Sequence, residues 1–267
     1  MPSSLHVLGA GPAFDTTLSN TSLLLEGPWR VLLDVGFAAA QPLWRRSMDA
    51  DYLDAIFLSH FHADHTFGLP AVLLLMISEG RNGGQVRRKP LTLVGPPGLE
   101  QYVRELMRLA YPGQWERFEK AVPLTFISLS PGSTGQVGPF TVKVAKTEHG
   151  EQVTSLASRW EWDNKVLFCY SGDGKATTDS QALYAGTPVL VHECYAVKDA
   201  GDMHEDLPTV LQLAQQAGVR QLVLVHSAMD KREELRAALA QMVTGSLSVT
   251  LAEGGDITID CDRAYAR

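Results

Sequence analysis

The sequence predicts a single layered domain, residues 1–267, that combines β-strands with α-helices, and three observations point to it. A length of 267 residues with 45% hydrophobic and 20% charged residues is ample for a large buried core, and it rules out a disordered, collagenous or disulfide-scaffold chain. Short apolar runs closed by turn residues recur along the whole chain, as strands do. Among them lie segments whose apolar residues return at helical spacing. No repeat, low-complexity tract or long linker separates two cores.

The first part reads as a strand meander over 5–8, 22–25 and 30–35, the last run closed by Gly36. Another apolar strand, 55–58, leads into Ser59. Residues 70–77 are apolar throughout and follow Gly68-Leu69-Pro70, which suits a buried helix with proline in its first turn; a homodimer face fits the same run. Leu99, Tyr102, Val103, Leu106, Met107 and Ala110 predict a helix over 97–111. Strands are expected at 140–145, 166–170, 188–191, 222–225 and 257–259, and helices at 207–217, stopping at Gly218, and at 230–243 with an acidic first turn. Trp160 and Trp162 read as strand aromatics before a hairpin turn at Asp163-Asn164. Loops are expected over 78–84 and 130–135.

Lys and Arg number 23 against 30 Asp and Glu, and the net charge of −7 argues against a broad cationic face for duplex DNA. Arg87-Arg88-Lys89 reads as a solvated face, with contact to an anionic substrate as the second reading. Cys169, Cys194 and Cys261 form no C-x-x-C pattern and read as buried free thiols. No run approaches the roughly 18 apolar residues of a membrane span. The opening residues lack a leader's basic and apolar segments, which predicts a cytoplasmic protein with no membrane partner.

The chemistry is concentrated in Ser59-His60-Phe61-His62-Ala63-Asp64-His65, directly after strand 55–58. A strand end running into a tight turn can aim alternating imidazoles at one point, while Asp64-His65, a turn later, aims at a second. That arrangement serves two neighbouring divalent metals. Imidazole and carboxylate suit zinc, and also manganese or iron. A pair of ions needs further ligands at comparable places, and His149, Asp173 and His226 each stand just beyond an expected strand. Alone, each would read as a surface, core or turn residue. The upstream motif turns them into candidates.

These pieces resemble the metallo-β-lactamase-fold hydrolases, and within them the ribonuclease Z branch. The matching residues are Leu8-Gly9-Ala10-Gly11, Leu32-Leu33-Asp34-Val35-Gly36, His60 through Asp64-His65, Phe67-Gly68-Leu69-Pro70, Gly95-Pro96-Pro97-Gly98-Leu99, Ser171-Gly172-Asp173, Val191-His192-Glu193, Val225-His226 and Glu253-Gly254-Gly255. The resemblance implies an α+β fold, a four-layer αββα sandwich of two mixed β-sheets flanked by helices. It implies that His60, His62 and His149 hold one metal and Asp64, His65 and His226 the other, with Asp173 between them. The nucleophile would be a water or hydroxide between the two ions, which lower its pKa and clamp the attacked group. Asp34 would orient the metal loop rather than bind metal itself, and His6 would be structural.

His204, in Asp202-Met203-His204-Glu205-Asp206-Leu207, matches the histidine of the ribonuclease Z H-S-T motif, which helps to protonate the leaving oxygen. Asp64 and His204 are therefore the expected catalytic residues. Glu205-Asp206 departs from Ser-Thr, and the stretch 204–213 looks more like the cyclic phosphodiesterase of phosphonate breakdown. Asp206 is expected to cap the following helix, with Glu205 tuning His204 as the alternative. His192-Glu193 is expected either to support the ligands or to pair structurally.

Two further departures weaken a transfer-RNA reading. Only 24 positions separate His149 from Asp173, too few for the substrate-gripping arm, and loop 14–20 lacks basic residues. The resulting expectation is a phosphodiesterase for a small or medium phosphodiester, short RNA included. A dimetal hydrolase of a lactone, thioester or β-lactam is the alternative, and a non-catalytic metal-binding sensor is the third reading.

Overall fold

The computed structural model describes residues 3–78, 86–242, 245–253 and 257–261. Strands β1 (Ser4–Gly9), β2 (Ser22–Glu26) and β3 (Arg30–Leu33) form the expected antiparallel meander. Helix α1 (Ala40–Arg46), strand β4 (Ala55–Phe57), the single-turn helix α2 (Ala63–Thr66) and helix α3 (Leu69–Met76) follow, Pro70 sitting in the first turn of α3. An N–H there would have no partner within the helix, so proline costs nothing. Strand β5 (Leu91–Gly95), helices α4 (Leu99–Ala110) and α5 (Gln114–Ala121) and strand β6 (Leu124–Ser128) come next.

The second half begins with strands β7 (Thr134–Val137), β8 (Phe140–Glu148), β9 (Ser155–Trp162) and β10 (Lys165–Tyr170). Asp163 and Asn164 join β9 to β10 with φ of 51° and 59°, the left-handed pair that a tight hairpin requires. Strand β11 (Lys175–Ala176), helix α6 (Thr178–Tyr184), strand β12 (Val189–Glu193), helix α7 (Leu207–Ala217) and strand β13 (Gln221–Val225) continue the chain. A 3₁₀ turn (Met229–Lys231), helix α8 (Arg232–Ala240) and strands β14 (Ser248–Leu251) and β15 (Ile257–Asp260) close it. The helix expected over 230–243 is thus shorter and opens as a 3₁₀ turn, and Val243 lies outside the described residues. The loop expected over 78–84 lies outside them apart from Ser78, as do Gly254 and Gly255.

Both sheets are mixed. The order in one is β15-β1-β2-β3-β4-β5-β6, antiparallel through β3 and parallel from β3 to β6. The other runs β11-β8-β9-β10-β12-β13-β14 with β7 beside β8, antiparallel through β10 and parallel beyond. Their inner faces share one core, in which Leu23, Leu25, Val31, Phe57, Phe140, Trp160, Phe168, Tyr170 and Val223 pack together. Apolar residues of α1, α3, α4 and α5 cover the outer face of the first sheet, and those of α6, α7 and α8 cover that of the second. This is the αββα sandwich.

One basic residue departs from expectation. Arg87 is 2% exposed, and its guanidinium donates to the carbonyls of Ala50, Leu53, Lys89 and Pro90. It is a buried clamp on loop backbone, not part of a solvated face, because five fixed donors can satisfy several carbonyls at once. Arg88 and Lys89 are exposed. The three cysteines are buried, as expected, and form no disulfide with one another.

Candidate metal centre

Each candidate ligand stands at or just beyond the end of a strand. His60 and His62 lie in the loop after β4, and Asp64 and His65 sit in α2, where they are brought beside Asp34 at the end of β3. His149 follows β8, Asp173 lies between β10 and β11, and His226 follows β13. Candidate donor atoms of His60, His62 and His149 lie within 4.8 Å of one another, and so do those of Asp64, His65, Asp173 and His226. Asp173 Oδ2 stands between the groups, 3.2 Å from His65 Nε2, 3.0 Å from His226 Nε2, 3.7 Å from His149 Nε2 and 4.0 Å from His60 Nε2. All seven sequence candidates meet here.

The surroundings hold these side chains in place. Asp34 has no exposed surface and accepts from the Ser59 N–H at 2.7 Å, from Ser59 Oγ at 2.7 Å, from the Tyr170 hydroxyl at 2.7 Å and from His65 Nδ1 at 2.8 Å. Its hold on Nδ1 leaves Nε2 of His65 turned to the centre. The Met203 carbonyl holds His149 Nδ1 at 3.0 Å in the same manner. Asp34 and His226 both have φ near +57°, at 58° and 56°, a conformation non-glycine residues rarely adopt. Gly36 of the Leu-Leu-Asp-Val-Gly motif passes so near the metal loop that a Cβ would lie 2.0 Å from the Asp64 carbonyl, hence a glycine there.

The donor set fits divalent ions. His60 Nε2 and Asp173 Oδ1 are buried without a hydrogen-bond partner, and two histidine nitrogens, His149 Nε2 and His62 Nδ1, face each other at 3.0 Å. Leaving His60 Nε2 and Asp173 Oδ1 unpartnered in the interior is costly unless a shared cation completes them. Burial and the neighbouring His65 hold the His60 imidazole well below its usual pKa, which keeps it neutral as a ligand must be. Burial opposes a charge on Asp173, yet His226 and His65 beside it hold its carboxyl well below the usual range.

His204 sits beside this cluster. Its Nδ1 is 2.8 Å from Glu193 Oε2, while Glu193 Oε1 accepts the Gly174 N–H, so one fully buried carboxylate ties the histidine to the residue after Asp173. Burial works against a charge on His204, but the Glu193 hydrogen bond raises its pKa above the usual value. Asp206 caps α7 by accepting the Thr209 N–H, as expected, and Glu205 accepts the Ala176 N–H. The Glu193 contact decides a point that sequence reasoning left open; the adjacent His-Glu pair was its signal. His192, buried, uses Nδ1 on the Glu193 carbonyl and stays outside the cluster. The stacked ring of Tyr195 on His204 had no sequence signal at all.

A pocket of about 500 Å³ opens onto the cluster, lined by His62, Asp64, His149, Asp173, Tyr195, His204 and His226 and walled by Pro12, Phe14, Met203 and Met229. The model of the family Anti-Pycsar protein Apyc1 matches residues 3–244, nearly all of this architecture and every candidate ligand. The chain belongs to the Anti-Pycsar protein Apyc1 family. This Apyc1-family chain is also 28% identical to a ribonuclease Z of Brevibacillus brevis, over 85% of the chain and 86% of the relative. Among solved structures it is similar to the metallo-beta-lactamase fold protein YhfI from Bacillus subtilis, with a TM-score of 0.72 and 21% identity over 97% of this chain and 100% of that one. A diphosphatase from the PhnP family aligns with a TM-score of 0.71 and 18% identity, covering 96% of this chain and 97% of that one. The metallo-β-lactamase fold expected from the sequence is the fold of the Apyc1-family chain. No helix among the described residues is long and apolar enough to cross a membrane.

Proposed function

We propose that the chain is a two-metal phosphodiesterase for a small or medium phosphodiester, in which His204 protonates the leaving oxygen. The coarser class, a metal-dependent hydrolase, agrees with its ribonuclease Z relatives and its His/Asp cluster. The observation that carries the finer reading is His204 in the wall of the pocket that opens on that cluster, held from behind by the buried Glu193 carboxylate at 2.8 Å.

In this reading His60, His62 and His149 would hold one divalent ion and Asp64, His65 and His226 the other, with Asp173 between them and zinc as the first candidate, ahead of manganese or iron. Two ions, when bound, would supply positive charge for the attacked phosphoryl group and a water acidic enough to act as nucleophile near neutral pH. Glu193 holds Nδ1 of His204, which leaves Nε2 to carry a proton towards the pocket. An alkoxide leaving a phosphodiester is costly unless such a group protonates it. The pocket of about 500 Å³ is of ordinary small-ligand size, and Phe14, Met203 and Met229 give it an apolar wall against which a base or aryl group can rest. Residues between His149 and Asp173 are spent on β9 and β10, so short RNA fits better than a folded transfer RNA.

The test is hydrolysis by protein reconstituted with zinc or manganese to two ions per chain, using bis(p-nitrophenyl) phosphate and the dinucleotide thymidylyl-thymidine. Metal-dependent turnover is expected, abolished in Asp64→Ala. His204→Ala should lose about a hundredfold on the dinucleotide, the scale of a missing general acid. Loaded protein that cleaves neither diester but opens a lactone or thioester would overturn the proposal in favour of a carbonyl substrate.

A further inference from the structure

We propose that Tyr195 is a positioning residue for His204, its ring lying flat on the imidazole and holding the plane in which Nε2 meets the leaving oxygen. This rests on the reading of His204 as the leaving-group acid. His204 arrives on the stretch 194–206, which carries no helix or strand of its own between β12 and α7. Among the described residues its side chain hydrogen-bonds to Glu193 alone, a contact that fixes Nδ1 but lets the ring turn about it.

Tyr195 removes that freedom. The two ring centroids are 4.5 Å apart and the planes differ by 12°, the face-to-face contact that restricts rotation of one ring against the other. His149 meets the same imidazole edge-on at 5.1 Å, and the His226 ring lies 5.4 Å away, so Tyr195 provides the closest of these ring contacts and the most nearly parallel one. The backbone of Tyr195 is itself anchored on both sides: its N–H donates to the Glu205 carbonyl at 3.0 Å and its carbonyl accepts the Ala228 N–H at 3.0 Å. One residue therefore ties the stretch carrying His204 to the stretch that follows His226, and sets the acid's orientation relative to both. The contact uses the face of the ring, so phenylalanine should serve in its place.

The experiment compares Tyr195→Ala, Tyr195→Phe and His204→Ala in zinc-loaded protein on two substrates. The p-nitrophenolate released from bis(p-nitrophenyl) phosphate is a stabilised anion that leaves without a proton, whereas the alcohol released from thymidylyl-thymidine needs one. Tyr195→Ala is expected to lower kcat on the dinucleotide about tenfold, with KM changed less than about twofold and the aryl diester little affected; Tyr195→Phe should restore the wild-type rate. A loss of equal size on both substrates, or none on either, overturns the proposal. If His204→Ala itself costs both substrates equally, the acid reading fails and the role of Tyr195 falls with it. A leaving-group-dependent loss in His204→Ala beside an even loss in Tyr195→Ala overturns the role of Tyr195 alone. A second readout is free of turnover: the ring current of Tyr195 should shift the His204 Cε1–H resonance upfield in the wild type and in Tyr195→Phe. A resonance that stays put in Tyr195→Ala overturns the proposal whatever the rates.

Discussion

At Asp34 a carboxylate with no exposed surface accepts four hydrogen bonds, from the Ser59 N–H and hydroxyl, from Tyr170 and from His65. Two separate stretches of chain, 59–65 and the end of β10, meet on it, and candidate ligands lie in the first and just beyond the second. Removing it takes the acceptor from the Ser59 N–H, the Tyr170 hydroxyl and His65 Nδ1, while the Ser59 hydroxyl keeps His60 Nδ1 at 3.0 Å; each buried donor left over costs about 1–3 kcal/mol of desolvation. Asp34→Ala is therefore expected to lose at least about 3 kcal/mol of stability in urea melts, and Asp34→Asn, which keeps an acceptor, to lose less. Where Asp34→Asn folds, its affinity for zinc should fall about ten- to a hundredfold, read by competition with a chromogenic chelator. Wild-type affinity in that variant would mean that Asp34 braces the fold and does not orient His65. Arg87 shows the limit of reading residues singly. In sequence it is one of three adjacent cations, and only the folding of the 50–53 loop around its guanidinium makes it a buried clamp.

The pocket wall shows the same interplay between elements. Loop 12–18 is held against α8 by Asp15, which accepts from the Thr17 and Leu18 N–H groups and from the Thr17 hydroxyl and pairs with Arg232. Burial opposes the charge on Asp15, but the Leu18 and Thr17 hydrogen bonds and the Arg232 guanidinium together lower its pKa below the usual value. A depressed folded-state pKa contributes stability that is complete above the unfolded value of about 3.9 and is lost as pH falls through the folded one. Asp15→Asn should accordingly be less stable than the wild type by a constant margin between pH 6 and 8, and the margin should close below about pH 4, measured by thermal melts across that range. A margin unchanged at low pH would assign the effect to the hydrogen bonds rather than the charge. Helical spacing made α4 and α7 readable in the sequence, and an unbroken apolar run behind Gly68-Leu69-Pro70 did the same for α3. Helices α1, α5 and α6, at 7, 8 and 7 residues, offer few turns over which a helical period can repeat, and none is an unbroken apolar run like α3.

Across the whole molecule, one sheet from the first half of the chain with β15 added and one from the second half share a core, and the His/Asp cluster draws its candidate ligands from both. His60, His62, Asp64 and His65 follow strand β4 of the first sheet, and His149, Asp173 and His226 follow β8, β10 and β13 of the second. Bound ions would therefore join the sheets, and a ligand that binds only the folded state stabilises it by mass action. Chelation is expected to lower Tm by several degrees in one cooperative step, with zinc restoring it, since about 1 kcal/mol moves Tm by roughly 2–4 °C in a chain of this size. A Tm indifferent to chelator, in protein shown to have carried two ions, would remove the ions from the fold's stability.

The sequence by itself determined the layered mixture of strands and helices, the candidate metal ligands and the loop that carries His204. Those features are local: they depend on apolar period, on turn residues and on the spacing of histidines and aspartates along a few positions. Tertiary structure alone decided that His60 and His149, 89 positions apart in sequence, bring donor atoms within 4.8 Å, that Glu193 takes Nδ1 of His204, and that Tyr195 lies flat upon that ring. Such contacts depend on which strand ends stand side by side and on the direction of each side chain there. No pattern along one segment encodes them, because each is set by the packing of two sheets whose strands come from distant parts of the chain.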